Sequence, residues 1–172
     1  MVKLIQLSDL HLVPPGKLTS KVLDTNAILE ETINEILRKQ DYFGQIEGLL
    51  VTGDISDDGS IDSYLSAHEK LIKLNVPILV IPGNHDLRKP MREVFNEHVE
   101  FSINSSQFDW VFKYEETVII GLDTLVEGEN FGFLEKTSLE FLSNQLSIHN
   151  GSDIILLIHH PPINTGIYFM DK

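Results

Sequence analysis

The hydrophobic positions of this chain fall into short apolar runs that alternate with segments of helical periodicity. Short, mainly apolar runs bounded by glycine, proline or polar residues are typical of buried strands. Such runs occur at residues 4–7, 48–52, 78–81, 108–112, 117–122 and 153–158. The pattern therefore predicts six strands.

Between these runs, apolar residues recur three or four positions apart, as they do on one face of a helix. A first stripe covers residues 28–37, and we expect Thr19 or Ser20 to cap its helix. Ser60 is the expected cap of a second helix. Four apolar residues of this second segment are expected to face the core: Leu65, Leu71, Ile72 and Leu74. Two further helices are predicted at residues 90–99 and 136–148.

The order of these elements predicts an α/β fold. Strand and helix alternate up to residue 81, which favours a parallel sheet with right-handed crossovers. The runs at 108–112 and 117–122 are close enough to form a hairpin. The chain contains no internal repeat or linker segment, so we predict one domain over residues 1–172.

Composition and charge narrow the range of functions that this chain could have. The 172 residues are 42% hydrophobic and 23% charged, as in ordinary globular domains. Acidic residues outnumber basic ones by 26 to 13, and the net charge of −13 argues against binding to long nucleic acid or an anionic membrane. The first apolar run is short and soon followed by polar residues, so we do not expect a signal peptide there. The absence of cysteine excludes thiolate metal sites and is consistent with a cytoplasmic location.

Side chains that suit metal ions follow four of the predicted strands. They are Asp9 and His11, Asp54, Asn84 and His85, and His159 and His160. Each alone has an ordinary explanation as a turn or surface residue. Because parallel strands end at one edge of a sheet, we expect the four groups to converge there.

Convergence of these groups brings several negative charges together. The carboxylates expected at this edge are Asp9, Asp54, Asp57 and Asp86. They would repel one another and raise one another's pKa values unless cations lay between them. Two divalent ions would remove the conflict, and mixed oxygen and nitrogen ligands suit Mn, Fe, Zn or Ni. Asp54 is the expected bridging ligand because its strand should lie between the others.

The motifs resemble those of a known superfamily. Asp9-Leu10-His11, Gly53-Asp54-Ile55-Ser56-Asp57, Gly83-Asn84-His85-Asp86 and His159 resemble, in order, the calcineurin-like metallophosphoesterase signature. Segments 121–124 and 159–162, with Gly166-Ile167 and Met170-Asp171, are similar to the class III cyclic-nucleotide phosphodiesterase branch. The resemblance implies a layered α/β/β/α sandwich.

The resemblance also implies roles for individual residues. Asp9 and His11 would hold a first metal ion, Asn84 and His159 a second, and Asp54 would bridge the two. The catalytic pair would be His85, beside the scissile phosphate, and Asp57, which would orient its ring. Further substrate contacts are expected from Asn84, His160 and Arg88, although His160 could simply pack and Arg88 could be a surface charge.

The implied reaction is hydrolysis of a small phosphodiester by a hydroxide held between the two ions. A cyclic nucleotide such as 3′,5′-cAMP is the preferred substrate, with glycerophosphodiesters, 2′,3′-cyclic nucleotides and other phosphoesters as alternatives. A rival of another class is a protein-binding scaffold on the same fold, without turnover.

One departure from the family pattern concerns the end of the chain. The family has a later Gly-His-x-His segment that supplies two more histidine ligands, and this sequence has none. We therefore expect a sandwich that is incomplete at its C-terminus, either as a fragment or as a natural short form. Such a chain could be catalytically impaired, and sheet edges left open could pair with a second copy in a homodimer.

Overall fold

The computed structural model describes residues 2–98 and 106–168. Its elements, in chain order, are β1 (Leu4–Leu7), α1 (Thr25–Arg38), α2 (Gln40–Phe43), β2 (Gly48–Thr52), α3 (Ile61–Leu71), β3 (Ile78–Ile81), α4 (Arg88–Phe95), β4 (Trp110–Tyr114), β5 (Thr117–Gly121), α5 (Lys136–Ile148) and β6 (Asp153–Leu157). A short 3-10 turn, Ile72–Leu74, follows α3. Val99 of the helix predicted at residues 90–99 and the Met170-Asp171 pair lie outside the described residues.

The six strands form two sheets of three. In the first sheet the order is β1-β2-β3 and all strands are parallel, with β2 in the middle as expected for the strand that precedes Asp54. In the second sheet β4 and β5 form the predicted antiparallel hairpin, and β6 pairs parallel to β5. The expectation that all four ligand-bearing strands end at one sheet edge is therefore wrong for β6, which belongs to the second sheet.

The core lies around the first sheet and extends to the second. Every residue of β2 and β3 is buried, as their apolar runs predict. Trp110, at the start of β4, fills space between the sheets, and its Nε1 donates to the Val80 carbonyl at 2.7 Å. A Cβ on Gly121 would lie 2.3 Å from the Trp110 ring, so this position admits only glycine. Trp110 thus fastens the second sheet to the centre of the first.

Helix starts differ in part from the sequence expectations. Asp24 caps α1 by accepting from the Ala27 N–H at 2.9 Å, so the expected cap at Thr19 or Ser20 is wrong. Ser60 caps α3 as predicted. Helix α4 begins at Arg88 rather than residue 90, because a proline in the first turn lacks only an N–H that has no partner in the helix.

Helix α3 buries a different stripe from the one expected. Leu71 and Leu74 are buried, but Leu65 and Ile72 are 51% and 45% exposed. The buried face instead includes Tyr64 and Ala67, three residues apart, which continue to Leu71 at the next turn. None of the helices in the described ranges is both long and apolar enough to span a membrane.

Candidate metal centre

The loops that follow β1 and β2 run side by side and turn their polar side chains toward one point. Asp9, His11 and Asp54 have φ angles of 56°, 45° and 51°, a left-handed conformation that is uncommon outside glycine. The Asp9 N–H donates to the Gly53 carbonyl at 3.1 Å, and the His11 N–H donates to the Asp54 carbonyl at 2.9 Å. Unusual backbone held in this way is a frequent feature of functional sites.

Two glycines permit close approach at this point. A Cβ on Gly53 would lie 2.2 Å from Nδ1 of His159, and one on Gly83 would lie 2.2 Å from Oδ1 of Asp54. Both contacts are far shorter than atoms tolerate. The glycines of the two motifs therefore make room for the side chains that the motifs bring together.

Asp54 lies between two imidazoles. Its side chain is buried, with Oδ2 at 3.6 Å from Nε2 of His11 and Oδ1 at 3.7 Å from Nε2 of His159. Atoms that share an ion at about 2.1 Å lie roughly 3–4 Å apart, so both spacings suit a shared ion. Each Asp54 oxygen thus faces a different histidine, which is the geometry that a bridging carboxylate requires.

On the first side of Asp54, three residues form a group that could hold an ion. Asp9, His11 and Asp54 each offer one ligand atom, and these atoms all lie within 4.8 Å of one another. Asp9 is exposed, and its Oδ2 accepts a hydrogen bond from Ser8 at 2.5 Å. This is the first-ion ligand set that the sequence predicts.

On the second side, Asn84 and His159 line a cleft together with Asp9 and Asp54. We call this cavity the cleft; its remaining lining comes from residues 129–132 and 160–164. Nδ1 of His159 lies 2.8 Å from the Thr52 carbonyl, which can only accept, so this nitrogen carries the proton. Its Nε2 is then left with a free lone pair toward Asp54.

His160 occupies a different environment from its neighbour. Its Nδ1 is 2.7 Å from the Thr124 hydroxyl, and its ring packs so closely on Gly132 that a Cβ there would lie 2.3 Å away. Its Nε2 is buried without a hydrogen-bond partner. Burial, aided by the nearby His159, lowers the pKa of His160, so the ring stays neutral near pH 7.

His85 and Asp57 lie on the other side of the centre. Nδ1 of His85 is 3.3 Å from the Asp57 carbonyl oxygen and 3.6 Å from the Asp57 carboxylate. The same carboxylate is closer to Nδ1 of His11, at 3.2 Å, although without hydrogen-bond geometry. Asp57 therefore adjoins both rings, and its carboxylate is nearer to the candidate ligand than to His85.

The Arg88 guanidinium is engaged within the protein. Its Nε donates to Asp123 at 2.5 Å, and Nη2 donates to the other Asp123 oxygen and to the Leu125 carbonyl. Asp123 is itself buried and also accepts from the Phe108 N–H. The ion pair therefore joins α4 to the segment after β5.

Sequence reasoning gave no structural role to Asp86. The Asp86 carboxylate is 1% exposed and accepts from the N–H groups of Ile55, Ser56 and Gly83 and from the Tyr64 hydroxyl. It thereby joins the loop after β2 to the loop after β3. Burial raises the pKa of Asp86, and burial beside that carboxylate also raises the pKa of Tyr64. Its place at the end of the Gly-Asn-His-Asp turn was the one available signal.

The donor set of this centre suits divalent ions. It combines carboxylate, amide and imidazole groups and contains no sulfur, which favours borderline metals over a structural zinc site. Asp9, His11 and His159 lie around Asp54, and Asn84 and His160 line the cleft beside them.

Comparison with known proteins identifies the family of this chain. The pattern of the family described as calcineurin-like phosphoesterase matches residues 2–172. The chain belongs to this family. A probable glycerophosphodiester phosphodiesterase, GpdQ, of Arcobacter nitrofigilis is 34% identical over 170 residues, which are 97% of this chain and 60% of that protein. The 3′,5′-cyclic adenosine monophosphate phosphodiesterase CpdA of Pseudomonas aeruginosa is 29% identical over 99% of this chain and 59% of its own length.

Among solved structures, TT1561 of Thermus thermophilus shares the fold of this phosphoesterase-family chain. The TM-score is 0.60 at 13% identity, over 97% of this chain and 72% of the other. The predicted superfamily and α/β architecture are thus confirmed. The chain spans about 60% of the length of the two curated relatives above.

Proposed function

We propose that this chain is a metal-dependent phosphoesterase domain that hydrolyses a phosphodiester, with a 3′,5′-cyclic nucleotide as the preferred substrate. The observation that carries the proposal is the Asp54 carboxylate, which presents one oxygen to His11 and the other to His159. The relative named as a cAMP phosphodiesterase, similar over 99% of this chain, supports the substrate class.

Two divalent ions, Mn, Fe, Zn or Ni, would complete the site. In the proposal Asp9 and His11 hold the first ion, Asn84 and His159 hold the second, and Asp54 contacts both. When bound, such ions lower the pKa of water and offset the charge of the phosphoryl oxygens. They would also offset the repulsion among the carboxylates of this acidic chain.

His85 is the proposed catalytic residue of the chain itself. It is exposed, and its Nδ1 faces the Asp57 carbonyl, which leaves Nε2 directed away from the protein partner. The imidazolium form of this ring also carries a proton on Nε2, which it can donate to a phosphoryl oxygen or transfer to the leaving alkoxide. Asp57 acts as a positioning residue for this ring through its carbonyl oxygen, and its carboxylate lies beside both His85 and His11.

The remaining predicted contacts are part of the same proposal. His160 lines the cleft beside Asn84, where both can contact the substrate. Nε and Nη2 of Arg88 donate to Asp123, so a contact of Arg88 with the substrate would have to come from its remaining N–H donors. A cytoplasmic location, supported by the absence of cysteine, and a homodimer are also predictions.

A second candidate substrate is a glycerophosphodiester. The relative at 34% identity is named as a probable enzyme of that type. The same centre would serve either substrate, because the ions and His85 act on the phosphoryl group that both share.

The test is hydrolysis by the purified chain with Mn²⁺. We expect turnover of bis(p-nitrophenyl) phosphate and of cAMP, abolished by a chelator. His85→Ala should lower kcat by roughly 10²–10⁴-fold, the usual contribution of a positioned acid or base. His149→Ala, at the end of α5, is the control and should leave kcat unchanged.

Two results would contradict parts of this proposal. A His85→Ala protein with the parental rate would exclude the catalytic role of His85. Absence of turnover by the unaltered chain on both diesters would exclude catalysis by this chain as it stands and would favour the two alternatives, a catalytically impaired chain and a protein-binding scaffold.

A further inference from the structure

A second cavity adjoins the candidate metal centre. It lies between the loop after β1 and the first turns of α1, and His11, Asp57 and His85 are among its lining residues. We call this cavity the recess. Asp9 lines both the recess and the cleft, so the two cavities meet at the centre.

The recess and the cleft differ in chemistry. Away from the centre the recess presents more apolar than polar surface, and hydroxyl side chains such as Thr19 and Ser20 lie among its aliphatic ones, which are Leu7, Leu10, Leu23, Ile28 and Leu29. The cleft instead carries polar groups away from the centre, among them Glu129, Asn130 and Asn164. A cavity with an apolar wall and a few convergent polar groups is the usual form of a small-molecule site.

Two aliphatic side chains of the recess wall are available to a ligand. Leu23 and Ile28 are 50% and 53% exposed, in contrast to Leu29, which is buried in the core beside them. Both line the same cavity as the rings of His11 and His85. A flat apolar group in the recess would cover the aliphatic carbons and contact the imidazoles.

On the basis of the proposed phosphodiesterase function, we propose that the recess binds the nucleobase of a cyclic nucleotide. In a 3′,5′-cyclic nucleotide both ester oxygens of the phosphoryl group belong to one ribose, and the base is attached to that ribose. With the phosphoryl group at the centre, the ribose and the base extend together to one side, and the aliphatic side chains of the recess suit a planar base better than the polar cleft does. A glycerol diester carries no group of this kind, so the recess would favour nucleotides over glycerophosphodiesters.

The chain offers matched variants for a test. Leu23→Ala and Ile28→Ala shorten the aliphatic wall at exposed positions, where the fold depends least on the side chain. Val22→Ala and Leu65→Ala are controls, since these residues are 74% and 51% exposed and lie outside the recess lining. Phe131→Ala tests the rival position for a base, an exposed aromatic side chain of the cleft.

The main readout is binding, which does not depend on turnover. The dissociation constants of AMP and glycerol 3-phosphate are measured by equilibrium dialysis with and without Mn²⁺. Leu23→Ala and Ile28→Ala should each weaken AMP binding by about tenfold and leave glycerol 3-phosphate unchanged. The same two variants should lower kcat/KM for cAMP and not for glycerophosphoethanolamine.

Three outcomes would overturn the assignment. They are an unchanged AMP affinity in both recess variants, an equal loss for the two ligands, and a loss confined to Phe131→Ala. Failure of the proposed function is distinguishable, because it appears as absent hydrolysis by the unaltered chain while the AMP measurements still decide where the base binds.

Discussion

The two sheets contribute to the candidate site in different ways. The parallel sheet supplies the proposed ligands of the first ion from adjacent loops, and backbone hydrogen bonds join those loops directly. The mixed sheet supplies His159, which the Thr52 carbonyl holds at 2.8 Å. β2 and β3 are buried throughout, whereas β6 exposes Asp153 and Leu156.

The two halves of the proposed two-ion site therefore depend on different contacts. The first-ion half follows from neighbouring strands of one sheet, so local pairing suffices to build it. The second-ion half depends on how closely the second sheet packs on the first, through contacts such as that of Trp110 with Val80. We expect the two halves to respond differently to substitution.

The largest effect is expected from Asp86→Ala, which removes a buried aspartate beside the proposed ligands of the first ion. Asp86→Ala leaves three backbone N–H groups and the Tyr64 hydroxyl without their acceptor, which should cost about 3 kcal/mol or more. Because Asp86 joins two ligand loops, metal binding and activity should fall as well. Urea denaturation and elemental analysis of the folded protein measure the two effects.

Asp109→Ala is the counterpart in the second half. Asp109 accepts from the Asp123 N–H and the Ser138 hydroxyl, so its loss should destabilise the chain by about 2 kcal/mol. Metal content should stay at the parental value under folding conditions. Equal loss of metal in both variants would show that the halves are not separable.

An intermediate effect is expected from substitution of one histidine on each side of Asp54. His159→Gln should remove the second ion and leave the first, with little change in the urea midpoint. His11→Gln should weaken the first ion in the same way. Replacement of a residue that only contacts a metal ligand typically lowers metal affinity roughly 10–100-fold. Loss of a ligand itself should lower the affinity for the affected ion by more than that, as measured by titration with Mn²⁺. Simultaneous loss of both ions in either variant would contradict independent halves.

The smallest effect is a loss of folding stability at acid pH, which we expect from two histidines beside the parallel sheet. Nε2 of His68 on α3 lies 2.9 Å from Nε2 of His98, just after α4. Burial and the neighbouring His68 lower the pKa of His98, with partial compensation from Glu97. The unfolded chain therefore binds a proton more readily, so the free energy of unfolding should fall as pH drops through about 6.5.

The measurement is the urea midpoint at pH 7.5 and at pH 5.5. His98→Gln cannot take up this proton and should show a smaller decrease. A decrease of equal size in the variant would assign the acid sensitivity to other groups.

Much of this fold could be predicted from short-range pattern. Runs such as residues 78–81 are apolar at every position, which is typical of a short strand that is buried on both faces. The cap of α1 and the buried face of α3 were predicted wrongly, because several candidate caps and a shift of one residue fit the sequence equally well.

Sequence by itself determined which residues could form the site, since carboxylate, amide and imidazole groups follow four strands in the order of a known family. Tertiary structure alone decided that β6 belongs to another sheet and still brings His159 to within 3.7 Å of Asp54. It also decided that Asp86 joins two loops and that Arg88 binds Asp123. These are contacts between positions 30 or more residues apart, and local pattern carries no information about which distant groups pack together.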